Sequence, residues 1–186
     1  MMRGMIRTMM AAGCLVVAGA VTAEAQTPVQ FGVGGGVSIP TGSTSDGLKL
    51  GFNGQALVRF TPPASPVGFQ IDGMYQQFKA KTNTFGLDKD QIISGTADVV
   101  YDFPVSEETR IRPYLIGGGG VYNLKSKFTD GSSGSDTKFG LNAGAGFDFG
   151  VSGATIYAEG RFHNVFVTGS DVKFIPITVG VKFGGR

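Results

Sequence analysis

The chain has 186 residues, of which only 16 % are charged, well below the quarter that is usual in soluble domains. Its formal net charge of +2 is too small to indicate a nucleic-acid-binding protein. The 31 glycines are abundant and tryptophan is absent. A chain of this length is enough for one domain and too short for two.

The first 25 residues have the pattern of a secretory signal peptide. Arg3 and Arg7 form its positive region, residues 9–20 its apolar region, and residues 23–25 a small-residue cleavage site before Gln26. The lone cysteine, Cys14, would be acylated in a lipoprotein, but the apolar run continues past it, which favours an ordinary signal-peptide residue. We therefore predict a signal peptide at 1–25 and one domain at 26–186. No later stretch approaches the roughly 18 apolar residues that a membrane helix needs.

Apolar and polar residues alternate with period two in the remaining chain, which predicts β-strands of about ten residues each. The last strand is the clearest, since apolar residues from Ile175 to Phe183 alternate with mostly small or polar ones. The eight predicted strands cover residues 29–39, 48–60, 67–76, 93–103, 110–124, 138–150, 154–166 and 171–183.

The composition of the polar face of these strands distinguishes a membrane barrel from a soluble sandwich or lipocalin-like barrel. It is dominated by Gly, Asn, Gln and Ser, where a solvated face usually carries Lys, Glu and Thr. Small residues suit the narrow interior of an eight-stranded barrel, and buried charges must be paired. We predict an all-β, eight-stranded antiparallel up-and-down transmembrane β-barrel. Its predicted interior ion network comprises Arg59, Asp72, Asp98, Asp102, Arg110, Arg112, Asp148, Glu159, Arg161 and Lys182.

The links between strands support the same topology. An even number of strands places both termini on the periplasmic side. The predicted periplasmic links are short, at 61–66, 104–108 and 151–153. The predicted extracellular links are longer and more polar, at 40–47, 79–90, 125–137 and 167–170.

Residues 112–124 (RPYLIGGGGVYNL), residues 139–162 and the ending ITVGVKF resemble the outer-membrane β-barrel domain family, which includes OmpA-type, OmpX-type and opacity-protein-like barrels. The resemblance implies a place in the outer membrane of a Gram-negative-type bacterium, with membrane lipid and the barrel-assembly machinery as partners and no cofactor. It also implies that Phe183 is the C-terminal signal that this machinery reads. Family members commonly end on the aromatic residue, whereas residues 184–186 follow it here.

Catalytic and ligand motifs receive little support. His163 is followed by Asn164 and Val165, so the serine of the His-x-Ser-Asn motif of lipid A deacylases is missing. The glycine runs at 32–36 and 117–120 lack the Lys-Ser/Thr of a nucleotide loop, and residues 130–136 lack the ligand spacing of a calcium loop. We predict no catalytic, cofactor-binding or metal-binding residues, and a protein that is not an enzyme.

Two function classes stay open. The first is a structural or surface-interaction barrel, with the strands as a membrane platform and the extracellular loops as the contact surface. The alternative is a narrow pore or small-solute transport barrel, with a lipid-modifying enzyme less favoured than either. Eight strands leave little lumen once side chains fill it, which favours the first class. We expect a monomer, and no sequence motif identifies an external partner.

Overall fold

The computed structural model describes residues 29–79, 81, 87–106, 109–128 and 133–184, and these form a closed barrel. Each strand pairs antiparallel with the next, and β8 closes on β1. The strands are β1 (Val29–Thr41), β2 (Gly51–Phe60), β3 (Val67–Lys79), β4 (Leu87–Asp102), β5 (Ile111–Phe128), β6 (Ser133–Val151), β7 (Ala154–Val165) and β8 (Val172–Gly184). The predicted fold class is confirmed. The predicted signal peptide, 1–25, lies outside the described residues.

Burial in the barrel is the reverse of that in a soluble protein. Large apolar side chains face outward, with Ile71 66 % exposed and Phe147 58 % exposed. Charged side chains face inward, and Arg59, Arg161 and Lys182 are each 1 % exposed. An apolar outer wall around a polar interior is stable only when lipid surrounds it.

Three strands extend four to six residues beyond the predicted limits at one end of the barrel. The predicted links 79–90 and 125–137 are wrong in part, because β4 already begins at Leu87, β5 continues to Phe128 and β6 begins at Ser133. Most residues in these extensions are polar, so the alternation that marks a strand inside lipid disappears there. The backbone still needs hydrogen-bond partners, and the ladder continues to supply them.

We call the two ends of the barrel the terminal end, where β1 begins and β8 ends, and the loop end. The links at the terminal end are 61–66, 103–110 and 152–153. The links at the loop end are 42–50, 80–86, 129–132 and 166–171. The loop-end links are therefore not consistently the longer ones, which corrects the prediction. The additional length on that side belongs to the projecting strands.

The first loop-end link contains a short helix that the sequence pattern did not predict, α1 (Thr44–Gly47). The Thr44 hydroxyl accepts a hydrogen bond from the Lys173 backbone N–H at 3.0 Å, which ties α1 to β8. Strand β2 begins at Gly51 and not at residue 48, because Leu48 packs inward at the loop end. None of the helical segments within the described ranges has the length and apolar character to cross a membrane.

Candidate functional site: the barrel lumen

The middle of the lumen is crossed by a buried ion cluster centred on Arg161. One terminal nitrogen of this guanidinium lies 3.0 Å from Asp72 Oδ2 and 3.0 Å from Asp98 Oδ2. The other lies 3.0 Å from Asp72 Oδ1, and Nε lies 2.8 Å from Glu159 Oε1. All four side chains are at most 2 % exposed. We call Asp72, Asp98, Glu159 and Arg161 the mid-lumen cluster.

Uncharged side chains complete the hydrogen bonding of two of these carboxylates. Gln70 Nε2 donates to Asp72 at 3.2 Å, and Asn142 Nδ2 donates to Asp98 at 2.7 Å. The Thr96 hydroxyl lies between the two carboxylates, 3.1 Å from Asp72 and 2.8 Å from Asp98. Buried carboxylates need such additional donors, because one guanidinium cannot satisfy all of their lone pairs.

A second cluster lies nearer the terminal end and links alternate strands. Arg59 of β2 pairs with Asp102 of β4 at 2.5 Å and lies 3.6 Å from Asp148 of β6. Lys182 of β8 pairs with Asp148 at 2.6 Å. We call Arg59, Asp102, Asp148 and Lys182 the terminal-end cluster. Its formal charges balance, as buried charges require.

Tyr114 connects the two clusters. Its hydroxyl donates to Glu159 Oε2 at 2.9 Å. The Arg59 guanidinium lies 4.8 Å and the Lys182 ammonium 5.2 Å from the centre of its ring, so both cations rest on an aromatic face. The Tyr157 ring gives Lys182 a similar contact at 5.3 Å.

Two of the ten predicted network residues lie outside these clusters. Arg110 precedes β5 and is exposed, which differs from the predicted interior position. Arg112 is half-buried and lines a cavity of about 490 Å³ at the terminal end, together with Arg59, Asp102 and Asp148. Neither arginine forms an ion pair with another described side chain. The inward alternation ends where β5 begins, so a residue one position earlier lies outside the lumen.

The loop end of the lumen is closed by apolar side chains, which the sequence analysis missed. They form a buried cluster, the aromatic plug, comprising Phe78, Ile92, Tyr122, Val165 and Phe174. Several partly buried apolar side chains pack against it: Leu48, Leu124, Val167 and Val172. Most of these positions lie next to outward apolar residues in sequence, as Phe174 does beside Ile175, so alternation of polarity does not distinguish them.

His163 belongs to the edge of this plug. Its ring stacks on Phe174 at 5.0 Å between centres, and its Nδ1 lies 2.8 Å from the Tyr122 hydroxyl. The side chain is fully buried. Within the described ranges, no group of three or more His, Cys, Asp or Glu side chains is arranged to hold a metal ion.

The uncharged partners of the ions were not predicted either. Gln70, Thr96, Tyr114 and Asn142 all lie on the inward rows of their strands. Only their spacing in the sequence could have indicated them, since Gln70 and Thr96 each lie two residues before a predicted carboxylate and therefore on the same face of the strand. In sequence they resemble any polar lumen residue, because the pairing depends on which strands face each other across the barrel.

Comparison with known proteins agrees with this architecture. Residues 10–184 match the family model for the outer membrane protein beta-barrel domain. Among solved structures, Neisserial surface protein A has a TM-score of 0.68 at 18 % identity, and the match covers 86 % of this chain and 99 % of that one. No curated protein matches the sequence.

Two further solved structures share the fold. Ail, the attachment invasion locus protein of Yersinia pestis, was solved with the heparin analogue sucrose octasulfate; its TM-score is 0.57 at 20 % identity, covering 83 % of this chain and 96 % of that one. The N-terminal β-barrel domain of Pseudomonas aeruginosa OprF has a TM-score of 0.53 at 15 % identity, covering 86 % and 98 %. The likeness to these structures is one of fold. With its apolar outer wall, its closed sheet and a family match over residues 10–184, the chain belongs to the outer membrane protein beta-barrel domain family.

Proposed function

We propose that this protein is a non-conducting outer-membrane barrel with a structural or surface-interaction role, and that it is not an enzyme. The observation that carries the proposal is the bonding of Arg161 to Asp72 and Asp98 at 3.0 Å. Arg161 lies on β7 and Asp72 on β3, four strands apart in an eight-stranded barrel, so the two residues come from opposite walls. A direct ion pair across the lumen leaves no room for a solute path at this level.

The ends of the lumen support the same conclusion. The aromatic plug closes the loop end, with Phe78, Tyr122 and Phe174 all fully buried. The terminal-end cavity, by contrast, is lined by charged residues and by the 61–66 link, and the mid-lumen cluster lies beyond it. The barrel interior therefore serves to stabilise the sheet, and contacts with other molecules fall to the outer surface and the loop end.

We further propose that the loop end faces the outside of the cell and the terminal end the periplasm. In this orientation residues 1–25 are removed as a signal peptide, Phe183 is read by the barrel-assembly machinery, and the barrel stands in the membrane as a monomer. The position of Phe183 supports this, since it lies near the end of β8, paired with Phe31 of β1 and 52 % exposed on the outer wall.

A surface-interaction role is consistent with the projecting ends of β4, β5 and β6. Ail, which shares the fold, was solved with a bound heparin analogue, so a barrel of this type can carry a ligand-binding surface. The alternative function is a narrow pore. Only the glycines on the inward rows favour the pore, since they have no side chain to fill the lumen: Gly34, Gly118, Gly144 and Gly146. Neighbouring atoms already occupy the space beside each of them, because a Cβ added there would overlap those atoms.

Cysteine labelling on intact cells tests the location and orientation. Thr168→Cys lies in a loop-end link and Ser152→Cys in a terminal-end turn, and both native residues are exposed. We expect a membrane-impermeant maleimide to label Thr168→Cys on intact cells, and Ser152→Cys only after the outer membrane is permeabilised. The wild-type chain is the blank, because its single cysteine is Cys14. If only Ser152→Cys were labelled on intact cells, the barrel would have the opposite orientation to the one proposed.

A further inference from the structure

The terminal-end cavity is lined by charged inward side chains and by residues of two links. Its volume of about 490 Å³ lies within the range of small-molecule sites in proteins. The charged side chains are those of Arg59, Asp102, Arg112 and Asp148, and the buried side chain of Gln30 also lines the space. The cavity therefore combines the size of a ligand site with strong hydrogen-bonding groups.

Arg112 is the cation of this cavity that has no partner of its own. It is paired in register with Asp148 of the adjacent strand β6, an arrangement that favours an ion pair between opposite charges. The two oxygens of Asp148, however, lie 2.6 Å and 2.7 Å from the Lys182 ammonium. Arg112 is half-buried and forms no ion pair with a described side chain. Its guanidinium is therefore available to a ligand.

Arg59 also retains unused hydrogen-bonding capacity. One of its terminal nitrogens pairs with Asp102. The other has no hydrogen-bond partner and lies 3.6 Å from Asp148. The side chain is only 1 % exposed, and a buried donor without a partner is unfavourable. An acceptor bound in the cavity would remove this cost.

The described charges around the cavity leave one positive charge unbalanced. The terminal-end cluster of Arg59, Asp102, Asp148 and Lys182 is neutral by itself, so Arg112 supplies the excess. A guanidinium binds a carboxylate or a phosphate through two parallel hydrogen bonds. A single excess charge favours a monoanion, because a dianion would also be repelled by the two aspartates.

The link residues of the cavity are largely apolar and conformationally restricted. Pro62, Pro63 and Pro66 come from the 61–66 link, and Pro104 from the link between β4 and β5. Proline fixes φ, so these segments are shaped before a ligand binds. Ala64 has a φ of 60°, a left-handed conformation that is unfavourable for a residue with a Cβ. Strained backbone of this kind is concentrated at functional sites.

We propose that the terminal-end cavity binds a small organic carboxylate with an apolar body. The carboxylate accepts hydrogen bonds from Arg112 and lies in the same space as the unpartnered nitrogen of Arg59, while the apolar body packs on the prolines of the links. The mid-lumen cluster lies beyond the cavity, so the ligand enters from the terminal end. This site goes beyond the proposed function, to which it adds a second place of contact, and it does not depend on the orientation of the barrel.

Amide NMR titration of the labelled barrel in zwitterionic detergent micelles tests this proposal. The probes are benzoate and benzamide, which has nearly the same shape and no charge. We expect benzoate to cause saturable shifts at the amides of Thr61, Ala64 and Ser65, and benzamide to bind at least about tenfold more weakly. Arg112→Gln should weaken benzoate binding roughly tenfold or more. Arg110→Gln removes the same charge from an exposed arginine and should change the affinity by less than about twofold.

The dispersion of the amide spectrum shows that each variant keeps the barrel before ligand is added. Equal benzoate affinities of the two variants, equally tight binding of benzamide, or the absence of saturable shifts in the 61–66 link would overturn the proposal. Val105→Asp is a second variant, which adds a negative charge to the cavity lining and should weaken the binding of benzoate but not of benzamide. Equal effects on the two probes would also count against a carboxylate site.

Inorganic phosphate forms a second arm of the experiment, because a guanidinium binds phosphate as well as carboxylate. We expect phosphate to bind the wild-type cavity more weakly than benzoate. If phosphate binds more tightly, and Arg112→Gln removes that binding, the site takes phosphate and the carboxylate assignment is wrong.

Discussion

At the scale of single residues, the lumen depends on one guanidinium that serves three carboxylates. Arg161 bonds to Asp72, Asp98 and Glu159, whereas each of these carboxylates has at least one further donor nearby, such as Gln70, Thr96, Asn142 or Tyr114. The cluster is therefore asymmetric. Loss of the cation would leave three buried negative charges together, whereas loss of one carboxylate would leave the cation with two.

This asymmetry predicts unequal effects of two substitutions, each of which removes one charge from the mid-lumen cluster. Arg161→Met should lower the free energy of unfolding by about 3–5 kcal/mol, because it leaves buried charges uncompensated. Glu159→Gln should cost less, roughly 1–2 kcal/mol, because it keeps a hydrogen-bonding side chain beside Tyr114. Urea unfolding of the barrel in lipid vesicles measures both. Arg110→Gln, at an exposed position, is the control and should stay within about 0.5 kcal/mol.

Eight of the ten predicted ion-network residues lie in the two lumen clusters, but their pairing was beyond sequence analysis. Period-two alternation identifies inward positions within one strand. It carries no information on which residue stands opposite across the lumen, since that depends on the strand stagger of the closed sheet. Arg161 and Asp72, for example, are 89 positions apart in sequence. Arg110 shows the limit at strand ends, where alternation stops.

At the scale of strands, the inward glycines lie where the lumen has no room for a Cβ atom. A Cβ at Gly144 of β6 would overlap the Gly160 carbonyl oxygen and crowd Arg161. A Cβ at Gly146 would overlap the ring of Tyr114, and one at Gly140 would crowd the ring of Tyr122. Each of these glycines thus makes room for a large lumen side chain or for the backbone of the next strand.

Gly160 of β7 offers a matched contrast to Gly144, since a Cβ there meets no atom within 4 Å. Gly144→Ala should destabilise the barrel by about 1–3 kcal/mol, the usual cost of overpacking. Gly160→Ala should be neutral or stabilise by about 0.5 kcal/mol, because glycine weakens a strand interior. Urea unfolding in lipid vesicles measures the change in stability for both variants. Equal destabilisation by both substitutions would mean that the inward glycines serve another purpose.

The sequence predicts that these strands exist better than it predicts where they end. Strands β7 and β8 begin or end within one residue of the predicted limits, because lipid faces one side of them along nearly their whole length. Strand β4 begins six residues before its predicted start at residue 93, in a segment of mostly polar residues. The aromatic plug was missed for a related reason, since Phe174 directly precedes the outward Ile175.

At the scale of the whole molecule, the barrel is a polar column enclosed by an apolar wall, with side chains grouped inside it at three successive levels. The terminal-end cluster, the mid-lumen cluster and the aromatic plug lie in series along the axis. The first two draw side chains from β2, β3, β4, β6, β7 and β8, so they tie the wall together from the inside. We expect a lumen filled in this way to stabilise the closed sheet and not to conduct.

Single-channel recording in planar lipid bilayers tests this account most directly. The purified wild-type barrel should insert without producing reproducible conductance steps, because the ion pairs of Arg161 span the lumen and the aromatic plug closes its loop end. Stable, repeated open-channel steps from the wild-type protein would contradict the closed lumen and establish the narrow pore as its function.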